Sequence, residues 1–281
     1  MSHHPALTAG SGAVITGSAS GIGLATAQYC ASLGMNLILA DIDETGLDHA
    51  KAAIAAEHPG IRIETLVTDV ADRAQVQRLH DAAHAHGRIG LVMNNAGVEG
   101  GGTLNADPAR WHKIIDTNLW GVINGVQIFT PTLIAQGGPA LIINTGSKQG
   151  ITMPPGDTAY NVSKAGIKAV TEALAHDLRK TGSAVTAHLL IPGFTFTGFT
   201  RVRVKTKPDA AWTPEQVVAF MAERLVHGDF YILCPDNAVT RELDNKRIAW
   251  AAGDIIHNRP ALSRWHKDHQ AAFEAFIKSS D

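Results

Sequence analysis

Tyr160 and Lys164 stand four residues apart in Tyr160-Asn161-Val162-Ser163-Lys164. The apolar spacing that follows, through Ala165, Ala169, Val170, Ala173, Leu174 and Leu178, is that of an amphipathic helix. A helix sets residues i and i+4 on one face, so phenol and ammonium would stand side by side. A free tyrosine, with a pKa of about 10, is a poor acid or base near neutrality. A fixed positive charge beside it favours the phenolate and lowers that pKa. The pair is then a candidate proton donor and acceptor for an alcohol/carbonyl couple. Taken alone, the same spacing also describes a helix with one tyrosine and one surface lysine.

The elements that would position such a pair are legible along the chain. Ala13-Val14-Ile15-Thr16 is a short buried-strand run, followed by Gly17-Ser18-Ala19-Ser20-Gly21-Ile22-Gly23 and a helical pattern closed by Gly34. Strand, glycine turn and helix in that order open a phosphate-binding βαβ unit. Gly17 would make the tight turn, Gly21 would admit a pyrophosphate, and Gly23 would let helix and strand approach. The helix N-terminus offers free N–H groups to the phosphates. The next apolar run, Asn36 to Ala40, ends in Asp41, about 20 residues past the glycines, where an acid accepts hydrogen bonds from a ribose 2′-OH. No basic residue stands at Ser20 or Ile42 to hold a 2′-phosphate. The expected cofactor is therefore NAD rather than NADP. The competing reading is that Asp41 caps the helix that follows.

Further strands are expected at Ile61–Val67 (leading to Asp69-Val70), Ile89–Met93, Ala140–Asn144, Ala184–Ile191 and Phe230–Cys234. Helices are expected over Glu44–Glu57, Asp72–His86, from Asp107-Pro108 onward to Gly137, over the Tyr160 segment, and from Thr213-Pro214 to about His227. Asn94-Asn95-Ala96-Gly97 follows a strand and suits either an ordinary turn or close approach to a cofactor. Asn118 falls among apolar positions and is either a satisfied core amide or a functional one. His80 and His84 share a helix face, but no further ligand completes a metal set, so a solvated face is expected and no metal. Strand and helix alternate throughout, which argues an α/β, doubly wound parallel sheet of about seven strands with helices on both faces. The whole chain, 1–281, is expected to form one domain, with 195–281 supplying a substrate loop and a helical tail.

Composition narrows the class. The chain has 281 residues, 45% apolar and 18% charged, with net charge −2. Nothing here suggests a nucleic-acid or membrane partner. Cys30 and Cys234 sit in no metal spacing, and no apolar run reaches the roughly 18 residues of a membrane span. A reduced, cytoplasmic setting is expected.

Together these residues resemble the short-chain dehydrogenase/reductase family, in its compact single-domain branch with a Rossmann-type sheet. The resemblance covers about Gly12 to Thr197. Thr16-Gly17-x3-Gly21-Ile22-Gly23 is similar to that family's cofactor loop. The resemblance assigns Asp69-Val70 to the adenine and Asn95-Ala96-Gly97 to the floor beneath the cofactor. It makes Asn118 the holder of a proton-relay water and Ser147 the hydroxyl that orients the substrate oxygen. Tyr160 becomes the acid/base, and Lys164 its partner on the nicotinamide ribose. Pro192-Gly193, Thr195 and Thr197 are placed against carboxamide and pyrophosphate. The implied activity is NAD-dependent interconversion of a secondary alcohol and a ketone by a homodimer or homotetramer, packed through the helices that bear Asn118 and Tyr160. Phe194, Phe196, Phe199, Trp212 and Met153 are expected to wall the pocket, implying an apolar or aromatic substrate, unless they are plain packing. Lys148, unusual after the serine, would meet an anionic substrate group or solvent. The main alternative is an NAD-binding sensor or scaffold without turnover, expected to have lost Ser147, Tyr160 or Lys164. An epimerase or dehydratase of the extended branch would need tighter glycine spacing and a larger C-terminal domain.

Overall fold

The computed structural model describes residues 3–198 and 206–279. Its sheet is parallel throughout, and among the described residues seven strands line up in the order β3-β2-β1-β4-β5-β6-β7. They are β1 (Gly12–Thr16), β2 (Asn36–Asp41), β3 (Ile63–Val67), β4 (Ile89–Asn94), β5 (Ala140–Thr145), β6 (Val185–Ile191) and β7 (Tyr231–Leu233). The central strands β1, β4 and β5 are buried along their whole length because both faces are covered, whereas the edge strand β3 is only partly buried. Odd and even positions of one strand feed opposite cores. Ala13 and Ile15 join Leu37, Leu39, Leu91 and Met93 beneath α1 (Gly21–Ser32), α2 (Glu44–Glu57) and the later helix Pro214–Val226. Val14 joins Ile38, Ala40, Val92 and Ile142 beneath α3 (Arg73–Ala85), Gly121–Ala135 and Thr158–Thr181.

The winding direction reverses between β1 and β4. Chain connections leave β1 toward β2 on one side and return to β4 on the other. Such a switch point opens a crevice at the carboxyl ends of the strands.

The segment expected to be one long helix after Asp107 is broken. It runs as α4 (Pro108–Ile115), a π-turn over Asp116–Trp120, and α5 (Gly121–Ala135), where the Gly121 N–H reaches back to the Asp116 carbonyl. The extra residue in the turn lets Asn118 face inward while Gly121 fits against Val70. A Cβ at position 121 would stand 2.6 Å from Val70 Cγ2. π-turns of this kind gather at functional sites.

After β5 come α6 (Gln149–Thr152) and α7 (Thr158–Thr181), then α8 (Pro214–Val226) beyond β6. The tail adds α9 (Arg241–Ile256) and α10 (Gln270–Lys278). A buried polar chain crosses the middle of the sheet: Asn94 Nδ2 donates to Asn144 Oδ1 (2.8 Å), and Asn144 Nδ2 donates to Thr171 Oγ1 (3.0 Å) on α7. Of the histidines in and just after α3, His84 is exposed, as expected of a solvated face, while His80 and His86 are partly buried. His80 is hydrogen-bonded through Nε2 to Thr132 Oγ1 at 2.7 Å and lies edge-on to Phe129. His86 pairs with Glu64. Both fill gaps between α3 and its neighbours, which the 3.6-residue pattern alone does not reveal. Among the described residues no helix is long and apolar enough to cross a membrane.

Candidate active site

The crevice at the switch point is a cleft of about 540 Å³. Its floor is the glycine turn between β1 and α1. Gly17 has φ +66°, and a Cβ there would lie 2.8 Å from Ala96 Cα. At Gly23 a Cβ would lie 2.1 Å from the Gly17 carbonyl oxygen, so only glycine lets α1 close on the turn. Helices α2, α3, α4 and α7 each begin with an aspartate whose side chain accepts a backbone N–H (Asp43, Asp72, Asp107, Asp157). Helix α1 differs: Ser20 stands at its N-cap without such a bond. The positive end of α1 is thus left for an outside anion at the cleft, alongside Gly21 and Ile22. These observations fit a dinucleotide's pyrophosphate.

Asp41 does not cap α2; Asp43 does. Instead Asp41 Oδ2 accepts the Ala19 N–H (3.0 Å) and Oδ1 the Asp43 N–H (3.2 Å), which fixes the carboxylate at the cleft with lone pairs to spare. Ile42, Asp69 and Val70 line the same end. Asn95 lines the cleft and also braces it. Its Nδ2 donates to the Thr16 and Gly17 carbonyls (3.1 and 3.2 Å), and its Oδ1 accepts from Thr145 (3.2 Å). Ala96, Gly97, Pro192, Gly193, Thr195 and Thr197 complete the walls.

At the other end α7 presents Tyr160 and Lys164. Asp157 anchors that helix start: its carboxylate accepts the N–H groups of Tyr160, Gly102 (3.1 Å) and Gly100 (2.6 Å). The sequence reading passed over this residue, although Asp157-Thr158 before an apolar run is a capping signal. Tyr160 and Ser147 line the same end of the cleft, near enough for the serine hydroxyl to act on the phenol's pKa, and Ser147 Oγ accepts the Gln149 N–H at 3.2 Å. Lys164 is 5% exposed. Its Nζ donates to the Thr145 carbonyl at 2.8 Å and lies 5.5 Å from the Tyr160 ring centre. Phenol, hydroxyl and ammonium therefore converge where the cleft floor ends.

Their electrostatics correct one expectation. Burial raises the Tyr160 pKa above its ordinary value, with Glu99 and Asp157 adding to the rise and Ser147 opposing it. Burial also pushes Lys164 down to about 8, against the pull of Glu99. Desolvation of the phenolate leads the rise at Tyr160, and the nearby carboxylates act in the same direction. Glu99, a cleft-lining carboxylate in the loop after β4, escaped the sequence reading because nothing in its neighbours distinguishes it from a surface acid.

The family model described as short chain dehydrogenase matches residues 11–208 of this chain. The chain belongs to the short-chain dehydrogenase/reductase family. The 1-deoxy-11-beta-hydroxypentalenate dehydrogenase of Streptomyces exfoliatus is 34% identical over 262 residues, covering 90% of this chain and 93% of that protein. A short chain dehydrogenase/reductase of Burkholderia phymatum, solved in complex with NAD, is 35% identical with TM-score 0.80, covering 89% of this chain and 96% of that one. A metagenomic short-chain oxidoreductase solved with NADP is 28% identical with TM-score 0.67, covering 81% of this chain and 98% of that one. The chain is thus an oxidoreductase of a family that uses nicotinamide cofactors on small molecules, and the neighbours alone do not separate NAD from NADP.

Within this short-chain dehydrogenase/reductase, Asn118 is fully buried. Its Oδ1 accepts the Val98 N–H (2.7 Å), and its Nδ2 donates to the Val98 carbonyl (2.9 Å) and Ser163 Oγ (3.1 Å). The side chain clamps the loop after β4 to the π-turn, and both of its N–H groups are occupied. The expected aromatic wall is mostly displaced. Phe194 lines the cleft. Trp212 turns into the core against Phe220, Phe196 lines a neighbouring depression beside α1, and Met153 ends α6 in a left-handed conformation away from the cleft. Phe199 lies outside the described residues. Polar groups, Glu99, Lys113, Lys148 and Gln149, share the lining instead. Lys148, at the edge of this lining, is ion-paired: its Nζ lies 2.5 Å from Asp244 and 3.4 Å from Asp236.

Proposed function

We propose that the protein is an NAD-preferring oxidoreductase that interconverts a secondary alcohol and a ketone, with Tyr160 as acid/base. The observation that carries this reading is the meeting of the Tyr160 phenol, the Ser147 hydroxyl and the Lys164 ammonium at the end of a dinucleotide-shaped cleft. When bound, a nicotinamide carries the hydride. Every other step falls to this chain. Gly17, Ser20, Gly21, Ile22 and Gly23 would hold the pyrophosphate, Asp41 the adenosine ribose, and Asp69 and Val70 the adenine. Asn95, Ala96, Gly97, Pro192, Gly193, Thr195 and Thr197 would frame the nicotinamide half, with Lys164 on its ribose. Ser147 donates to the substrate oxygen and stabilises charge developing there. Tyr160, protonated at neutral pH, hands its proton to the ketone oxygen in reduction and retrieves it in oxidation. Asn118 holds the loop and π-turn beside the route by which the proton is replaced.

Asp41 supports NAD, since a carboxylate fixed in that place repels a 2′-phosphate. Phe194 and Val98 on the cleft wall support a substrate with an apolar or aromatic part. Trp120 and Val162, 50% and 45% exposed on the π-turn and α7, support assembly of copies through those helices. The test is a coenzyme-absorbance screen of secondary alcohols and ketones with NAD(H) and NADP(H). Coenzyme binding with no turnover across the panel would return the sensor reading.

A further inference from the structure

Lys148 directly follows Ser147 in the cleft lining, and its ammonium is held in an ionic cluster whose carboxylates come from the C-terminal tail. Its side chain is 16% exposed, and those of Asp236 and Asp244 are 4% and 5%. Asp236 follows β7, and Asp244 lies in the first turns of α9. Asp236 Oδ2, the atom that faces Lys148, also accepts the N–H of Phe194 at 3.1 Å. Asp236 Oδ1 accepts the N–H groups of Ala238 and Val239 (3.1 and 2.8 Å), which fixes that carboxylate in its own turn. Gly193 lies directly over the pair: a Cβ there would stand 2.7 Å from Asp236 Oδ2 and 2.9 Å from Lys148 Nζ. Arg247 approaches the far side of Asp244 at 3.9 Å.

Two walls of the cleft, Ser147–Gln149 and Pro192–Phe194, are therefore tied to one ammonium–carboxylate junction, and the tail supplies both carboxylates. We propose that Lys148 is a positioning residue that sets the Ser147 hydroxyl against the Pro192–Phe194 wall by locking both to Asp236 and Asp244. The C-terminal tail then acts in catalysis without touching substrate. Geometry this close to a reacting atom is sensitive, since a displacement of roughly 1 Å can cost about 100-fold in rate. A buried ion pair is suited to the task because its groups tolerate few alternative arrangements once out of water.

The inference about catalysis rests on the reading of Ser147 as the substrate-facing hydroxyl; the inference about backbone order does not. The experiment uses the full chain with Lys148→Met, Lys148→Arg and Asp244→Asn. Amide hydrogen exchange followed by mass spectrometry should show peptides over 146–152 and 192–198 exchanging about tenfold faster or more in Lys148→Met, with α2 and α3 unchanged. In steady state, kcat/KM for the ketone should fall by about 10- to 100-fold with KM for NADH within about twofold. Lys148→Arg should recover most of that loss. Should Lys148→Met fail to fold, Asp244→Asn, which keeps an amide partner for Lys148, must show the same pattern at smaller size. Faster exchange confined to 236–256, or kcat/KM per folded enzyme unchanged, would overturn the proposal. A wild-type chain that turns over no alcohol or ketone would refute the proposed function, while the exchange result would still decide the role of Lys148.

Discussion

Replacing Lys164 by methionine should abolish activity and, near neutral pH, make the protein more stable. The folded chain holds the Lys164 pKa at about 8, against 10.5 for the ordinary side chain. Near pH 7 the amine is charged in both folded and unfolded states, so the folded state carries the whole cost of burying that charge. At about 1.36 kcal/mol per pH unit, the cost is on the order of 3 kcal/mol. Methionine removes the charge while filling similar space, but loses the hydrogen bond to the Thr145 carbonyl. That bond contributes about 1 kcal/mol. The expected net gain near pH 7 is therefore about 2 kcal/mol. As pH rises from about 8 toward 10.5, the unfolded wild-type chain binds more protons at this position than the folded chain, so wild-type stability increases with pH. The advantage of the variant must shrink accordingly. Tyr160, whose pKa is raised from 10.0, stays protonated in both states across most of this window and adds little slope. Urea unfolding of both proteins at about pH 7 and about pH 9.5 measures the gap directly. A Lys164→Met protein less stable than wild type at neutral pH, or a gap that does not close at higher pH, would refute the reasoning.

Tyr160→Phe should lower kcat by about 100- to 10,000-fold, with NADH affinity by fluorescence titration nearly unchanged; retained turnover would remove the phenol from its role. Wild-type kcat/KM should be higher with NAD than with NADP, and Asp41→Ala should cut the NAD value about tenfold or more, because a charged hydrogen-bond acceptor is lost from the ribose. Steady-state assays with both coenzymes decide this. Gly23→Ala places a methyl 2.1 Å from the Gly17 carbonyl oxygen, so the turn must move by more than about 1 Å to restore ordinary contact. It should weaken NADH binding strongly and destabilise the fold by about 1–3 kcal/mol, as read by titration and urea unfolding; wild-type affinity would show that the turn yields more easily than its geometry implies.

The strands and the cleft residues were legible because their signals are local. Most strands are largely apolar runs, β3 alternates, and the observed ends lie within a residue or two of the expected ones. Glycine at 17 and 23 announces a backbone that no side chain could share. What stayed hidden depends on partners far along the chain. The π-turn has no periodic signature, since its cause is the fit of Asn118 to Val98 and of Gly121 to Val70. Lys148 finds Asp236 88 residues later, so no window around Ser147 could show it. Trp212 resembles a pocket wall until the fold sets it on Phe220. The rise in the Tyr160 pKa comes from burial and from Glu99 and Asp157, which the i,i+4 spacing to Lys164 does not show.

The polar chain through the centre of the sheet has a consequence of its own. Strands β4 and β5 are buried along their whole length, so the greasy side chains on their two sides are near equivalents. A slide of one residue would cost little in oil-to-water terms. Asn94 and Asn144 face each other in the ladder and join side chain to side chain. Any slide would strand two amides in a dry interior, which is far more costly than an ill-fitting methyl. The alignment of these strands is thus keyed by the residues immediately before Asn95 and Thr145. The same key that tells the two strands where to stop also sets the height at which the cleft floor begins.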